Sequence, residues 1–224
     1  MASDPKWMKE WRGRVKTQED TVSFVDAVGF CTIDYQDLDG FPYLAAAFPG
    51  DRESVLGETW FWKDDLHNDK LVYYTRLFAA KPGFISMAMV PAFIAANGEV
   101  ADEMILMGRM PANTEEIYRA IEREGPIATK DLKRLISSDA ARKCSNALID
   151  LERKFIITKV GLTGRVRENY GYIWDLAERW LPDAFEKADE LGDEKARELI
   201  IEKLRTDGID ISPRLLTKAF GWNT

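Results

Sequence analysis

A single histidine (His67) and two cysteines (Cys31, Cys144) are the whole imidazole and thiol inventory of this 224-residue chain. That scarcity excludes every metal centre built from several imidazoles or thiolates, and no metal site is expected. The cysteines lie far apart without a Cys-x-x-Cys pair, which points to reduced thiols in a cytoplasmic protein rather than a disulfide framework. Gly-x-x-x-x-Gly-Lys and Gly-x-Gly-x-x-Gly loops are both missing, so no cofactor is expected. No Gly-x-Ser-x-Gly elbow accompanies His67, which reads as an exposed histidine in the Asp64–Asn68 loop rather than a catalytic base. Long apolar runs are lacking too. The longest, residues 84–96, is interrupted by Ser86 and Pro91 and falls short of the roughly 20 residues that a bilayer span needs. The basic stretch Met1–Lys16 has no leader-type apolar core, and no membrane partner is expected.

What is present is an ordinary globular composition, 46% hydrophobic and 31% charged, with a net charge of −7. The charge is unevenly spread. Residues 1–113 carry 11 basic and 17 acidic side chains, residues 114–182 carry 13 and 11, and residues 183–224 carry 7 and 10. Within the middle third, residues 139–167 hold seven cations (Arg142, Lys143, Arg153, Lys154, Lys159, Arg165, Arg167) against Asp139, Asp150 and Glu152. A basic patch on an acidic chain locates a partner as well as suggesting one.

The elements of that third order themselves as a winged helix-turn-helix. Thr114 is placed to cap a helix with Ile117, Tyr118 and Ile121 on one stripe, ending at Gly125-Pro126. Thr129 starts a second helix with Leu132, Leu135 and Ile136, stopped at Ser137-Ser138. A third helix, Asp139–Lys154, turns Cys144, Ala147, Leu148 and Leu151 inward and Arg142, Asn146, Ile149 and Arg153 outward, with Asp150 and Glu152 also assigned to the outer face. A hairpin follows, from Phe155–Val160 through the Gly161–Gly164 turn to Tyr170–Leu176. Such a third helix lies in a DNA major groove, while the hairpin contacts phosphates. The candidate DNA-binding residues are therefore Arg142, Lys143, Asn146, Arg153, Lys159, Arg165 and Arg167, with Arg142 and Asn146 as base-edge readers.

The flanks are plainer. Asp193 and Ser212-Pro213 start helices separated by Gly208 and ending at Gly221, which reads as a partial second winged helix. In the first 113 residues, Val28–Ile33 and Leu71–Thr75 look strand-like and Ile85–Ala96 helical. The aromatics from Trp60 to Phe78 read as core, with stacking of a flipped base or a small ligand as the functional alternative. The expected fold class is α+β: an N-terminal α+β region (1–113), a winged helix-turn-helix domain (114–182) and a C-terminal helical segment (183–224).

The stretch Tyr172-Ile173-Trp174-Asp175-Leu176-Ala177-Glu178-Arg179-Trp180-Leu181-Pro182 resembles a segment of the YcaQ-like (AlkZ-related) DNA glycosylase family. There a wing strand ends in a tyrosine, a D-L-x-E-R run and a Leu-Pro pair. Residues 117–125 and 129–136 are similar to that family's internal winged helix, and the likeness covers about residues 114–221. The resemblance implies tandem winged helices, a double-stranded DNA partner and, in the active branch, excision of alkylated or crosslinked bases without a metal. That branch orients a water with a Gln-x-Gln or Gln-x-Asp motif. Here only Gln18 and Gln36 occur, so the chain resembles a divergent member and no catalytic residue carries over. The nearest local analogue is Asp34, Gln36 and Asp37 around Tyr35, where carboxylates beside an amide suit a water, although a surface loop is the simpler reading.

The expectation is a cytoplasmic DNA-binding protein related to repair glycosylases but without their activity. Two alternatives are a metal-independent DNA glycosylase, and a scaffold that uses the winged helix to hold a protein partner.

Overall fold

A computed structural model of the chain describes residues 4–50, 52–166 and 168–222, excepting the side chains of 52–56 and 58–60. The fold is mixed α+β with two small antiparallel sheets. The chain forms two compact units: Met1–Ala96 with Leu191–Thr224, and Asn97–Glu190. Among the described residues no helix is long and apolar enough to cross a membrane.

The first unit opens with α1 (Lys6–Trp11) and α2 (Gln18–Val28), where Thr17 and Asp20 form a reciprocal capping box and Gly29 ends the helix at φ +78°. β1 (Phe30–Thr32), α3 (Leu44–Ala47), α4 (Arg52–Asn68), β2 (Val72–Thr75), β3 (Gly83–Ser86) and α5 (Val90–Asn97) follow. The sheet order is β1-β3-β2, with Cys31 and Tyr74 both opposite Phe84. All eleven residues of these three strands are buried, which explains continuous apolar runs rather than alternation.

His67 stands where the sequence did not place it. It is the penultimate residue of α4, not part of a loop, and is 1% exposed. Its Nδ1 accepts the backbone N–H of Tyr74 at 3.0 Å, and the imidazole ties α4 to β2. Lys63 and Asp64, one turn earlier, are also buried and paired at 2.7 Å, with the ammonium 5.7 Å from the Tyr74 ring centre. Polar neighbours made this segment look like a loop, whereas helical spacing turns three of its polar side chains inward.

The second unit runs α6 (Ala101–Leu106), α7 (Ala112–Glu124), β4 (Ile127–Ala128), α8 (Thr129–Leu135), α9 (Ser138–Arg153), β5 (Ile157–Leu162), β6 (Tyr172–Leu176), α10 (Ala177–Trp180) and α11 (Pro182–Leu191). Its sheet has the order β4-β6-β5. Ile117, Ile121, Leu132, Cys144, Leu148, Leu151, Ile157 and Trp174 bring all three main helices and the sheet into one core.

α12 (Asp193–Thr206) and α13 (Pro213–Phe220) return to the first unit. Ser212 caps α13 by accepting from Leu215 N, Pro213 opens it, and Gly221 closes it at φ +76°. Phe220 then lies 6.0–6.1 Å from the rings of Phe30, Phe41, Phe78 and Phe93. Within this unit the last helix thus completes an aromatic core begun near residue 30.

Candidate nucleic-acid interface

The second unit positions α9 through its start. Ser137 accepts from Ala140 N as the cap, and its own N–H and hydroxyl both donate to the Glu116 carboxylate of α7, at 2.6 and 2.7 Å. The turn between α8 and α9 is therefore fastened to α7 at the residue that begins the helix. Ala140, Cys144, Ala147, Leu148 and Leu151 bury the inner stripe, leaving Arg142, Lys143 and Asn146 exposed on the outside.

These three residues are brought together: Asn146 lies four positions from Arg142 and three from Lys143, the spacing of neighbours on a helix surface. Arg142 and Lys143 each donate to one oxygen of Asp139 at 3.0 Å. The bond from Lys143 first, and then that from Arg142, holds the Asp139 carboxyl below its usual range. One carboxylate therefore offsets half the charge of the pair until a competing anion arrives. Arg153 is not part of the group. It is half-buried at the far end of α9, about 16 Å along the axis from Arg142, with its Nε buried and unpartnered among the described residues.

Lys159 departs most from expectation. It is only 4% exposed, and its ammonium pairs with the Glu152 carboxylate, itself 0% exposed. The rings of Tyr172 and Trp174 flank it at 4.9 and 5.3 Å. The cause is strand alternation: Lys159 follows the core residue Ile157 by two and stands opposite Trp174, before the register of the β5–β6 ladder shifts between Lys159 and Gly161. Lys159 and Glu152, both read as solvent-facing, form an ion pair inside the core and offer no surface to a phosphate.

At the hairpin end Arg165 is exposed, and Arg167 lies outside the described residues. Asn169 closes this loop: its Oδ1 accepts from Val166 N, its N–H donates to Val166 O, and Thr163 Oγ1 donates to its carbonyl at 2.6 Å. A Cβ on Gly164 would collide with the Asn169 side chain, so glycine is required for this closure.

The D-L-x-E-R run acts as a clasp. Asp175 Oδ1 accepts from Leu176 N and from Arg179, whose other nitrogen donates to the Glu122 carbonyl at 2.6 Å. A Cβ on Gly125 would stand 2.6 Å from that same Oδ1 and 2.7 Å from Ile121 O. β6, α10 and the end of α7 meet at this point, and the motif fixes the sheet against the helices. Thr129, expected as a helix cap, is instead the first residue of α8. Its hydroxyl donates to Tyr172 O and accepts from Trp174 Nε1, joining α8 to β6.

The sequence matches, over residues 15–221, the family described as AlkZ related. The chain belongs to the AlkZ-related family. It is thereby related to DNA glycosylase-like repair proteins. No curated protein and no solved structure matches the chain.

In this AlkZ-related chain the loop after β1 places Asp34 half-buried and Gln36 and Asp37 exposed. Asp37 is engaged through its backbone, its carbonyl accepting from Lys218 Nζ at 2.6 Å. Lys81 and Lys218 stand 5.3 and 5.5 Å from the Tyr35 ring centre. The two cysteines are buried, and burial raises both thiols above their ordinary range, which removes them as nucleophiles. Among the described residues no group of three or more His, Cys, Asp or Glu side chains is placed to hold a metal ion. Lys130 and Lys133 of α8, which no sequence motif marks, are exposed and form no ion pair among the described residues. The only signal was their three-residue spacing on a short helix.

Proposed function

We propose that the second unit is a winged helix-turn-helix and that this AlkZ-related chain binds duplex DNA with it in the cytoplasm, without glycosylase activity. The observation that carries this reading is the exposed trio Arg142, Lys143 and Asn146 on the face of α9 opposite the core, presented by a helix whose start is bonded to α7. The order helix, short strand, helix, helix, hairpin with sheet order β4-β6-β5 supports the fold assignment. Arg142 and Asn146 suit base edges, whereas Lys143 and Arg165 suit phosphates. Lys159 is removed from the contact set by its burial, and Arg153 stands apart from it.

The reading without glycosylase activity rests on the missing Gln-x-Gln motif and on the exposure of Gln36 and Asp37, because a residue that orients a hydrolytic water is held in a shielded site. Incubation with an alkylated duplex should release no base above the uncatalysed background. Release that Asp34→Asn abolishes would overturn this part.

Titration of duplex DNA at several salt concentrations tests the interface. Arg142→Ala with Lys143→Ala should weaken binding and lower the salt slope by up to about two. Asp139→Asn, which frees both cations, should strengthen it. Equal affinity across wild type and variants would sink the interface, and no binding at low salt would sink the proposal.

A further inference from the structure

Within the second unit a cleft of about 640 Å³ lies between α8 and the hairpin loop. It falls in the size range of small-molecule sites. Lys130 and Lys133 of α8 stand on one wall, and Glu168, Tyr170 and Tyr172 on the other. We propose that this cleft takes an unpaired nucleotide of a DNA strand, its base against the tyrosines and its phosphates on the lysines.

Three observations carry the assignment. The aromatic wall is fixed: Tyr170 and Tyr172 meet edge to face at 5.5 Å, and the Tyr170 hydroxyl donates to that of Tyr172 at 2.8 Å. A preordered aromatic surface stacks any base without selecting its sequence. The cationic wall is available, since Lys130 and Lys133 form no ion pair among the described residues, while Asp131 is held by Arg134 at 2.7 Å. The chain just before Tyr170 is held by the bonds of Asn169 to Val166 N and Thr163 Oγ1, which shape this side of the cleft. Glu168 is the remaining carboxylate on the lining, and it sets the polarity of the site by excluding phosphate from the hairpin side.

This inference adds a subsite beside the duplex interface, and the experiment separates the two. Anisotropy titrations would use three probes of one sequence: an intact duplex, the duplex with a single-nucleotide bulge, and the single strand. Wild type is expected to prefer the bulged over the intact duplex by about fivefold or more. Tyr170→Ala or the pair Lys130→Ala, Lys133→Ala should erase that preference and leave intact-duplex affinity within about twofold. Tyr170→Phe keeps the ring and should keep the preference, while Glu168→Gln should raise it. Intact-duplex binding with no preference for the bulge, or a preference that Tyr170→Ala leaves untouched, overturns the subsite and leaves the duplex reading standing. Binding of the single strand alone, lost in Tyr170→Ala, supports the subsite and overturns the duplex reading.

Discussion

Lys159→Met should destabilise the second unit by about 3–5 kcal/mol, because it leaves the Glu152 carboxylate buried without its counter-charge. Glu152 Oε2 already lacks a hydrogen-bond partner among the described residues, so little remains to stabilise the anion once the ammonium is gone. The reverse change, Glu152→Met, should cost less. It leaves Lys159 against the faces of Tyr172 and Trp174, which retain part of the stabilisation of a buried cation. Replacing both residues with methionine should restore stability to within about 1 kcal/mol of wild type, since the gain from a buried pair over an apolar pair of similar volume is small. Hydrogen exchange read on peptides from α9 and β6 reports this unit directly. A loss under 1 kcal/mol in Lys159→Met, or no recovery in the double variant, would contradict the role assigned to the pair.

Phe220→Ala should remove about 3–5 kcal/mol from the first unit. The ring is 3% exposed and sits among four phenylalanines, with Trp222 at 4.7 Å. Those neighbours belong to different elements, so they cannot all move inward to fill the space. Phe220→Leu should cost less, because it keeps most of the apolar volume. Urea unfolding followed by exchange at β1 and β3 measures the effect. If Phe220→Ala melts those strands no earlier than wild type, the last helix is not part of their core.

The parts of this architecture that the sequence displayed are those governed by local rules. α7, α8 and α9 lie where the apolar stripes put them, and α13 starts and stops at its serine, proline and glycine. The pairs Ile157–Leu162 and Tyr172–Leu176 follow the β-branched and aromatic runs within two residues. Where the reading erred, the deciding contact was distant in sequence. Glu152 reads as outward by its charge, but it follows Leu148 by four at the edge of the buried stripe, and Lys159, on the core face of β5 beside Ile157, reaches it there. His67 has polar neighbours, yet Tyr74 supplies the N–H that holds it inside. Val28 reads with the strand it precedes but ends α2, since Gly29 separates the two at positive φ. Ile85–Ala96 read as one helix and divides into β3 and α5, with Ile85 paired across both neighbouring strands.

At the proposed interface Arg142, Lys143 and Asn146 are legible in the sequence as outer positions of α9, whereas what modulates them is not. Asp139 was counted only as a negative charge in the basic segment, whereas the geometry makes it the direct partner of both cations. Lys130 and Lys133 went unnoticed because α8 is too short to show a pattern, and only folding sets them opposite Tyr170 and Tyr172.

The first unit is drawn from both ends of the chain, with the second unit encoded between them. During synthesis, Phe30, Phe41, Phe78 and Phe93 therefore leave the ribosome well over a hundred residues ahead of the ring that joins them. Residues 97–190 contain a complete core of their own and can fold in that interval, while the earlier aromatic strands wait for their final helix. A variant without α13 therefore keeps the core of the second unit whole and leaves the aromatic core of the first open where Phe220 covers it.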